Sequence, residues 1–205
     1  MELLIISPST GFPDETATAT ALFEAGLERF HLRKPDFSEM EMENYICQLP
    51  KEFLSKVVVH SAHQLQGKYN LGGIHFTKQN AISEEIKNKE RSFSLSCSAH
   101  SFKEAEEKTD GTDYVFISPV FDSISKNGYK SGFGQFELNR FIKNYNLHSK
   151  GTNRAKIYAL GGIDLSNIKS IKEMGFSGAA ILGGIWNSGN KETIVEKFIK
   201  MRKES

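Results

Sequence analysis

The sequence predicts an α/β protein, a single (β/α)8 TIM barrel spanning residues 1–205, and three observations predict it. Short apolar runs recur along the whole chain, one roughly every 25 residues, the pace of a compact alternating barrel. Each run is followed by a turn and a helical stretch, which is the alternation of parallel α/β folds. A phrase of helix, glycine, then strand also repeats, at Gly26 before Phe30, Gly111 before Tyr114 and Gly175 before Ala179. An open doubly wound sheet uses the same alternation. Eight predicted strands with none left over favour closure.

In chain order, Leu3–Ile6 is an apolar run bounded by Ser7, Pro8 and Ser9, as suits a strand buried on both faces. Residues 14–25 form a helix stopped by Gly26. Residues 30–33 are the second strand, and residues 38–49 the second helix, opened by Ser38 as N-cap with Glu41 three residues on. Val57–Val59 is the third strand, ending at His60-Ser61, and residues 62–68 make a short helix before Gly72-Gly73. Residues 74–76 are the fourth strand, 83–90 a helix, 93–97 the fifth strand and 102–108 a helix. Residues 114–117 are the sixth strand, followed by a long loop over 118–134 that contains Pro119, Gly128, Gly132 and Gly134 and is expected to be mobile. Residues 136–145 are helical, 157–160 and 179–182 are the last two strands, and 190–203 is the closing helix.

Composition narrows the function classes. Lys plus Arg number 26 against 25 Asp plus Glu, a formal net charge of +1, so nothing asks for nucleic acid or an acidic membrane surface. No apolar run approaches the roughly 18 to 20 residues of a membrane span, and the first residues lack the basic region of a secretory signal. The two cysteines, Cys47 and Cys97, read as buried free thiols of a reducing compartment. A cytoplasmic enzyme-sized domain is expected.

In such barrels the active site lies where the strands end. The predicted ends collect polar residues: His31, Arg33 and Lys34; His60 and Ser61; His75, Lys78 and Asn80; Ser98 and His100; Ser123, Ser125 and Lys126. Arg33 and His31, two apart on one strand, share the inward direction, and Arg33 suits bidentate phosphate binding. The last two strands end in Gly161-Gly162-Ile163 and Gly183-Gly184-Ile185. Glycines there leave backbone N–H groups open to an anion, and the loops after strands seven and eight form the usual phosphate site. The same glycines also suit tight strand-to-helix turns.

The set His31-Leu32-Arg33, Gly73-Ile74-His75, Ser98-Ala99-His100-Ser101, Asp113-Tyr114-Val115 leading to Ser118-Pro119-Val120-Phe121, and Gly161-Gly162-Ile163 resembles thiamin phosphate synthase and the related thiazole phosphate tautomerases, in order and spacing from first strand to last. The resemblance implies a transferase of thiamin biosynthesis. Its substrates are a hydroxymethylpyrimidine pyrophosphate and a thiazole phosphate, its metal is Mg²⁺, and a homodimer is the family-level expectation. Carried over by position, Arg33 holds the pyrophosphate and Ser98 lies near the leaving group. Ser123, Ser125 and Lys126 belong to the sixth loop, and Gly161, Gly162, Leu182 and Gly183 cradle the thiazole phosphate.

Departures from the pattern are as informative. The carboxylates that hold Mg²⁺ in the synthases are replaced by Ser61 and Asn80, the glutamine before the arginine by His31, and an asparagine by His60. Pro35 stands where the family has a lysine, with Lys34 adjacent as its substitute, and Gly183 stands where serine is common. Two accounts follow: Arg33, Lys34, Lys78 and Lys126 neutralise the pyrophosphate in place of a metal, or the chain is a tautomerase that keeps only the thiazole half. The tautomerases carry a histidine where this chain has Pro119. A non-catalytic phosphate sensor is a third reading. His31 and His60 are candidates for the missing base, or, with His75 and His100, for a cluster of up to four imidazoles able to hold a transition metal. His75 and His100, which match the family pattern, also read as packing or hydrogen-bonding residues.

Overall fold

The computed structural model describes residues 1–77, 90–122 and 131–205. Eight parallel strands close in chain order: β1 Glu2–Ile6, β2 Arg29–Leu32, β3 Val57–Val59, β4 Gly73–Phe76, β5 Ser94–Ala99, β6 Tyr114–Ile117, β7 Lys156–Leu160 and β8 Gly178–Ile181, with β8 pairing back onto β1. The described helices are α1 Glu15–Glu24, α2 Glu39–Cys47, α3 Leu65–Tyr69, α4 Phe102–Lys108, α5 Gln135–Ser149, α6 Ile168–Met174, α7 Gly183–Trp186 and α8 Lys191–Glu204. Of the sequence expectations, the helix over 83–90 and the loop residues Ser123, Ser125 and Lys126 fall outside the described residues, apart from Glu90. The short α7 directly after β8 was not anticipated. Its four residues carry two glycines, which gave no helical signal.

The strands are continuously apolar because both faces are covered, helices outside and barrel interior inside. Outward residues such as Ile5, Phe30, Val57, Val59, Ile117 and Ile181 join the large core under the helices. Inward residues Leu4, Ile6, Tyr114, Phe116, Tyr158 and Ala180 form a second, enclosed cluster. Local signals end the helices as the sequence implies. Ser38 and Glu41 make a reciprocal capping box at α2, and Gly26 and Gly175 take left-handed φ values of 94° and 92° just past α1 and α6. Cys97 is buried as expected, whereas Cys47, at the last turn of α2, faces solvent.

The barrel interior is unusually polar at its lower end. Arg29 lies 4.7 Å from the centroid of the Tyr114 ring and 3.4 Å from the Glu2 carboxylate, and the Tyr158 hydroxyl donates to the same carboxylate at 2.5 Å. Gly178 makes room for this layer, since a Cβ there would stand 2.9 Å from the Tyr158 ring.

Neighbouring residues at the end of β2 point to opposite sides of the wall. Lys34 turns outward and is 1 % exposed. Its ammonium contacts Glu15 Oε2 at 2.6 Å and donates to the carbonyls of Pro8 at 2.8 Å and Thr10 at 3.2 Å. The Tyr45 hydroxyl donates to the other Glu15 oxygen at 2.9 Å. One buried ion pair thereby ties the β1–α1 loop, α1, α2 and β2 together. Burial beside Glu15 pushes the Tyr45 phenol well above its usual range, so it remains a donor.

Removing one member of a buried pair leaves the other uncompensated, at a cost of about 3–5 kcal/mol. Lys34→Met is therefore expected to lower the urea midpoint by that equivalent, and the double change with Glu15→Gln to recover part of it. An unchanged midpoint for Lys34→Met would show that the pair contributes nothing to stability.

Candidate active site

The C-terminal strand ends converge on a mouth whose lining is set by strand alternation. At the β2 end the backbone is fixed: Arg33 N–H donates to Ser7 Oγ at 2.8 Å, and Ser7 Oγ donates back to Arg33 O at 3.1 Å. With the main chain held this way, the half-buried Arg33 side chain stays on the inner side. Among the described residues its guanidinium makes no hydrogen bond or ion pair, and its charge is felt at both His60 and His75.

Beneath it lie three buried imidazoles from adjacent strands, His31 at 0 %, His75 at 2 % and His60 at 8 % exposure. His31 Nδ1 and His60 Nε2 are 2.9 Å apart, His31 Nε2 meets the Tyr114 hydroxyl at 2.8 Å, and the His60 and His75 rings stack with centroids 4.2 Å apart. His75 spans β5, with Nδ1 at 2.8 Å from Ser96 Oγ and Nε2 at 3.1 Å from Ser98 Oγ.

A neutral imidazole donates at one nitrogen and accepts at the other. With the Tyr114 hydroxyl donating to His31 Nε2, His31 Nδ1–H donates to His60 Nε2, which leaves the His60 Nδ1–H directed away from the pair. The histidines are held neutral. Burial is the main cause in each case, reinforced at His31 by His75 and Arg29, at His60 by His75, His31 and Arg33, and at His75 by His63, Arg33 and Lys108. His31 and His60 lie well below the usual imidazole range, and His75 is brought down to about 3.

The geometry divides the predicted residues. Arg33, His60 and Ser98 stand together at the mouth, and His31 lies under His60 with both nitrogens occupied. His31 therefore has no free atom to offer a substrate, and a direct role as a proton carrier gives way to a supporting one. Lys34 is corrected: its ammonium is buried outside the wall against Glu15, so it does not substitute for the family's lysine. His100 is also separate, exposed, with Nδ1 donating to Ser118 O at 2.9 Å, so the cluster has three imidazoles and not four. Asn80, Lys78, Ser123, Ser125 and Lys126 lie outside the described residues. Sequence reasoning passed over Tyr114, although its position on β6 carried the inward signal. In the β3 loop, where Ser61 was singled out but His63 was not, Ala62 adopts φ 50° and the buried Ser61 Oγ and His63 Nε2 have no hydrogen-bond partner among the described residues.

The glycine turns meet one another. A Cβ on Gly161 would stand 2.8 Å from Pro119 Cα, one on Gly162 2.3 Å from Asp122 O, and one on Gly184 2.0 Å from Ile163 O. Gly161 and Gly162 also take φ values of 98° and 65°. Loop packing alone therefore requires three of these glycines. Val120 N–H and Phe121 N–H donate to Leu160 O and Gly161 O, which fastens the start of the sixth loop to the seventh. Gly183 opens α7 after Leu182, and first-turn N–H groups have no partner inside a helix.

Mg²⁺, which the resemblance implies, prefers oxygen ligands including one or two carboxylates. Among the described residues, the only cluster of three or more potential metal ligands is His31, His60 and His75, all nitrogen donors. Asp122, a possible replacement, is exposed and accepts from Ser131 N–H at 2.7 Å. Asp36, the other, is exposed on the β2–α2 loop. The described donor set does not fit Mg²⁺.

A closed parallel barrel with a free guanidinium, hydroxyls and paired glycine turns at its C-terminal mouth defines the class of (β/α)8 enzymes that handle anionic small molecules. Comparison with known proteins narrows it. The family model described as thiamine monophosphate synthase matches residues 3–185, and the chain belongs to that family. It is 32 % identical to a thiamine phosphate pyrophosphorylase structure from Bacteroides thetaiotaomicron, with a TM-score of 0.82 over 100 % of this chain and 97 % of the other. It is 24 % identical over 200 residues to the thiamine-phosphate synthase of Caldivirga maquilingensis, covering 96 % of this chain and 93 % of that one. A pyrophosphorylase structure from Pyrococcus furiosus, 18 % identical with a TM-score of 0.78 over 99 % of this chain and 94 % of that one, shares the fold. No described helix is long and apolar enough to cross a membrane.

The histidines make stability depend on acid. Their folded-state pKa values lie below the unfolded value near 6.5, so the unfolded chain binds more protons, and stability present above pH 6.5 is lost as pH falls. Between pH 6.5 and 5 the unfolding free energy is expected to drop with a slope rising toward about 4 kcal/mol per pH unit, three protons at about 1.36 each. Denaturant titrations at several pH values measure it, and a flat profile over that window would contradict the arrangement.

Proposed function

We propose that this protein joins a hydroxymethylpyrimidine pyrophosphate to a thiazole phosphate, releasing pyrophosphate and giving thiamin phosphate. The observation that carries the reading is Arg33: a guanidinium at the family's arginine position, fixed at its backbone by Ser7 and free of any protein anion among the described residues. In this reaction the bond from the pyrimidine methylene carbon to pyrophosphate oxygen breaks with its electron pair leaving on oxygen. The thiazole nitrogen lone pair then forms the new carbon–nitrogen bond. Negative charge gathers on the departing group, and a planar, permanently charged guanidinium placed beforehand stabilises that charge without reorganising.

The remaining roles follow the family pattern. By that pattern Lys126, Ser123, Ser125 and Asn80 belong to substrate binding, and Ser98 to the neighbourhood of the leaving group. Gly161, Gly162, Leu182 and Gly183 receive the thiazole phosphate through backbone N–H groups. The neighbours of Arg33 at His60 and His75 are neutral imidazoles, and among the described residues no carboxylate pairs with it, so its charge is available to the phosphates.

The experiment is an assay of purified protein with both substrates, with Mg²⁺ and with chelator, following thiamin phosphate. Turnover is expected, and Arg33→Gln is expected to lower kcat/KM by about 10²–10³-fold, the range for removing one preorganised charge-stabilising group. Absence of thiamin phosphate under both conditions, with thiazole phosphate still bound, would overturn the transferase reading.

A further inference from the structure

We infer that His31, His60 and His75 form a binding site for a nitrogen-preferring first-row divalent cation such as Zn²⁺ or Co²⁺, at a mouth whose described residues do not build a Mg²⁺ site. The argument begins with the atoms. Each histidine offers one ring nitrogen, and the three atoms lie within 4.8 Å of one another. His31 Nδ1 and His60 Nε2 are already 2.9 Å apart, an edge-on approach of two imidazoles. Two nitrogens bound tetrahedrally at about 2.0–2.1 Å are about 3.3 Å apart, so the His31–His60 pair opens by a few tenths of an ångström, while the His75 nitrogen closes by at most about 1.5 Å as its ring tilts out of its stack on His60.

The opposite nitrogens are arranged as a metal site requires. His31 Nε2 faces the Tyr114 hydroxyl at 2.8 Å, and His75 Nδ1 faces Ser96 Oγ at 2.8 Å. On binding, His31 takes the other tautomer, its proton moving from Nδ1 to Nε2 where the Tyr114 oxygen accepts it, and Ser96 Oγ accepts the His75 Nδ1–H, so that each ring turns a lone pair toward the ion. Such outer contacts on the far nitrogen are the usual support of ligating histidines. The nitrogens left to face the ion are then His31 Nδ1, His60 Nε2 and His75 Nε2. In binding, the ion replaces one hydrogen bond, between His31 and His60, and one contact, between His75 Nε2 and Ser98 Oγ at 3.1 Å.

The three ligands come from β2, β3 and β4 or the first residue beyond, whose parallel pairing fixes their spacing. Three imidazoles leave a fourth position for water or a substrate oxygen, the pattern of an open site. Imidazole suits zinc, copper, nickel and cobalt, whereas Mg²⁺ selects oxygen. The proposal goes beyond the transferase reading and does not depend on it, because its readout is the ion itself.

The test uses the full chain, freed of metal by chelator and dialysed, with Co²⁺ alone as probe. One equivalent is expected to bind with the visible absorption of four-coordinate cobalt, to be displaced by Zn²⁺, and to resist excess Mg²⁺. His60→Asn is expected to weaken binding by 100-fold or more, and Tyr114→Phe by about tenfold or more, as for loss of an outer contact. Binding unchanged by His60→Asn, or absent from the wild type, would overturn the site. Should the variants fail to fold, X-ray absorption on the cobalt-loaded wild type decides: three imidazoles around the ion support the proposal, and fewer overturn it.

Discussion

A closed barrel of eight strands has an interior just wide enough for side chains, so every polar group that points inward must find its partner in the wall. Here that constraint shapes the whole axis. At the floor, Arg29 is satisfied by Glu2 and the Tyr114 ring, and Tyr158 by Glu2. Above it, Tyr114 links to His31 and His31 to His60, while His75 is held between two serines of β5. Only at the top does a charged group, Arg33, go without a protein partner among the described residues. Satisfaction below concentrates the unsatisfied charge at the mouth.

Much of the fold was legible because the strands are buried on both sides and therefore appear as continuous apolar runs. Val57–Val59 and Tyr114–Ile117 match their predicted bounds, and the capping residues Ser38 and Glu41 and the stop at Gly26 act as read. Inward placement of Arg33 and His31 also followed from alternation. The same alternation sends Lys34 outward, and weighting its charge above its parity led to the wrong side of the wall. Glu15, its partner, lies 19 residues earlier, beyond the reach of local pattern.

The site was legible in its membership and opaque in its pairing. That three histidines share a mouth could be inferred from their strand positions. That two of their nitrogens meet at 2.9 Å depends on the stagger between β2 and β3, which no residue states by itself. His100 lies just beyond β5, where the turn into α4 and a bond to Ser118 O carry it away. The glycines, read as phosphate cradles or as turns, also have a purely steric duty, because the sixth, seventh and eighth loops pack too closely for side chains.

The chain of contacts from Tyr114 through His31 to His60 also has a historical meaning. The resemblance to the family implies amides at positions 31 and 60, where this chain carries two imidazoles that bond to each other. A single reversion at position 31 leaves the Tyr114 hydroxyl or a His60 nitrogen buried without its partner, a cost of about 1–3 kcal/mol. A change at either position therefore bears on the other, because the contact is shared. Substitutions at these two positions are expected to travel together through descent.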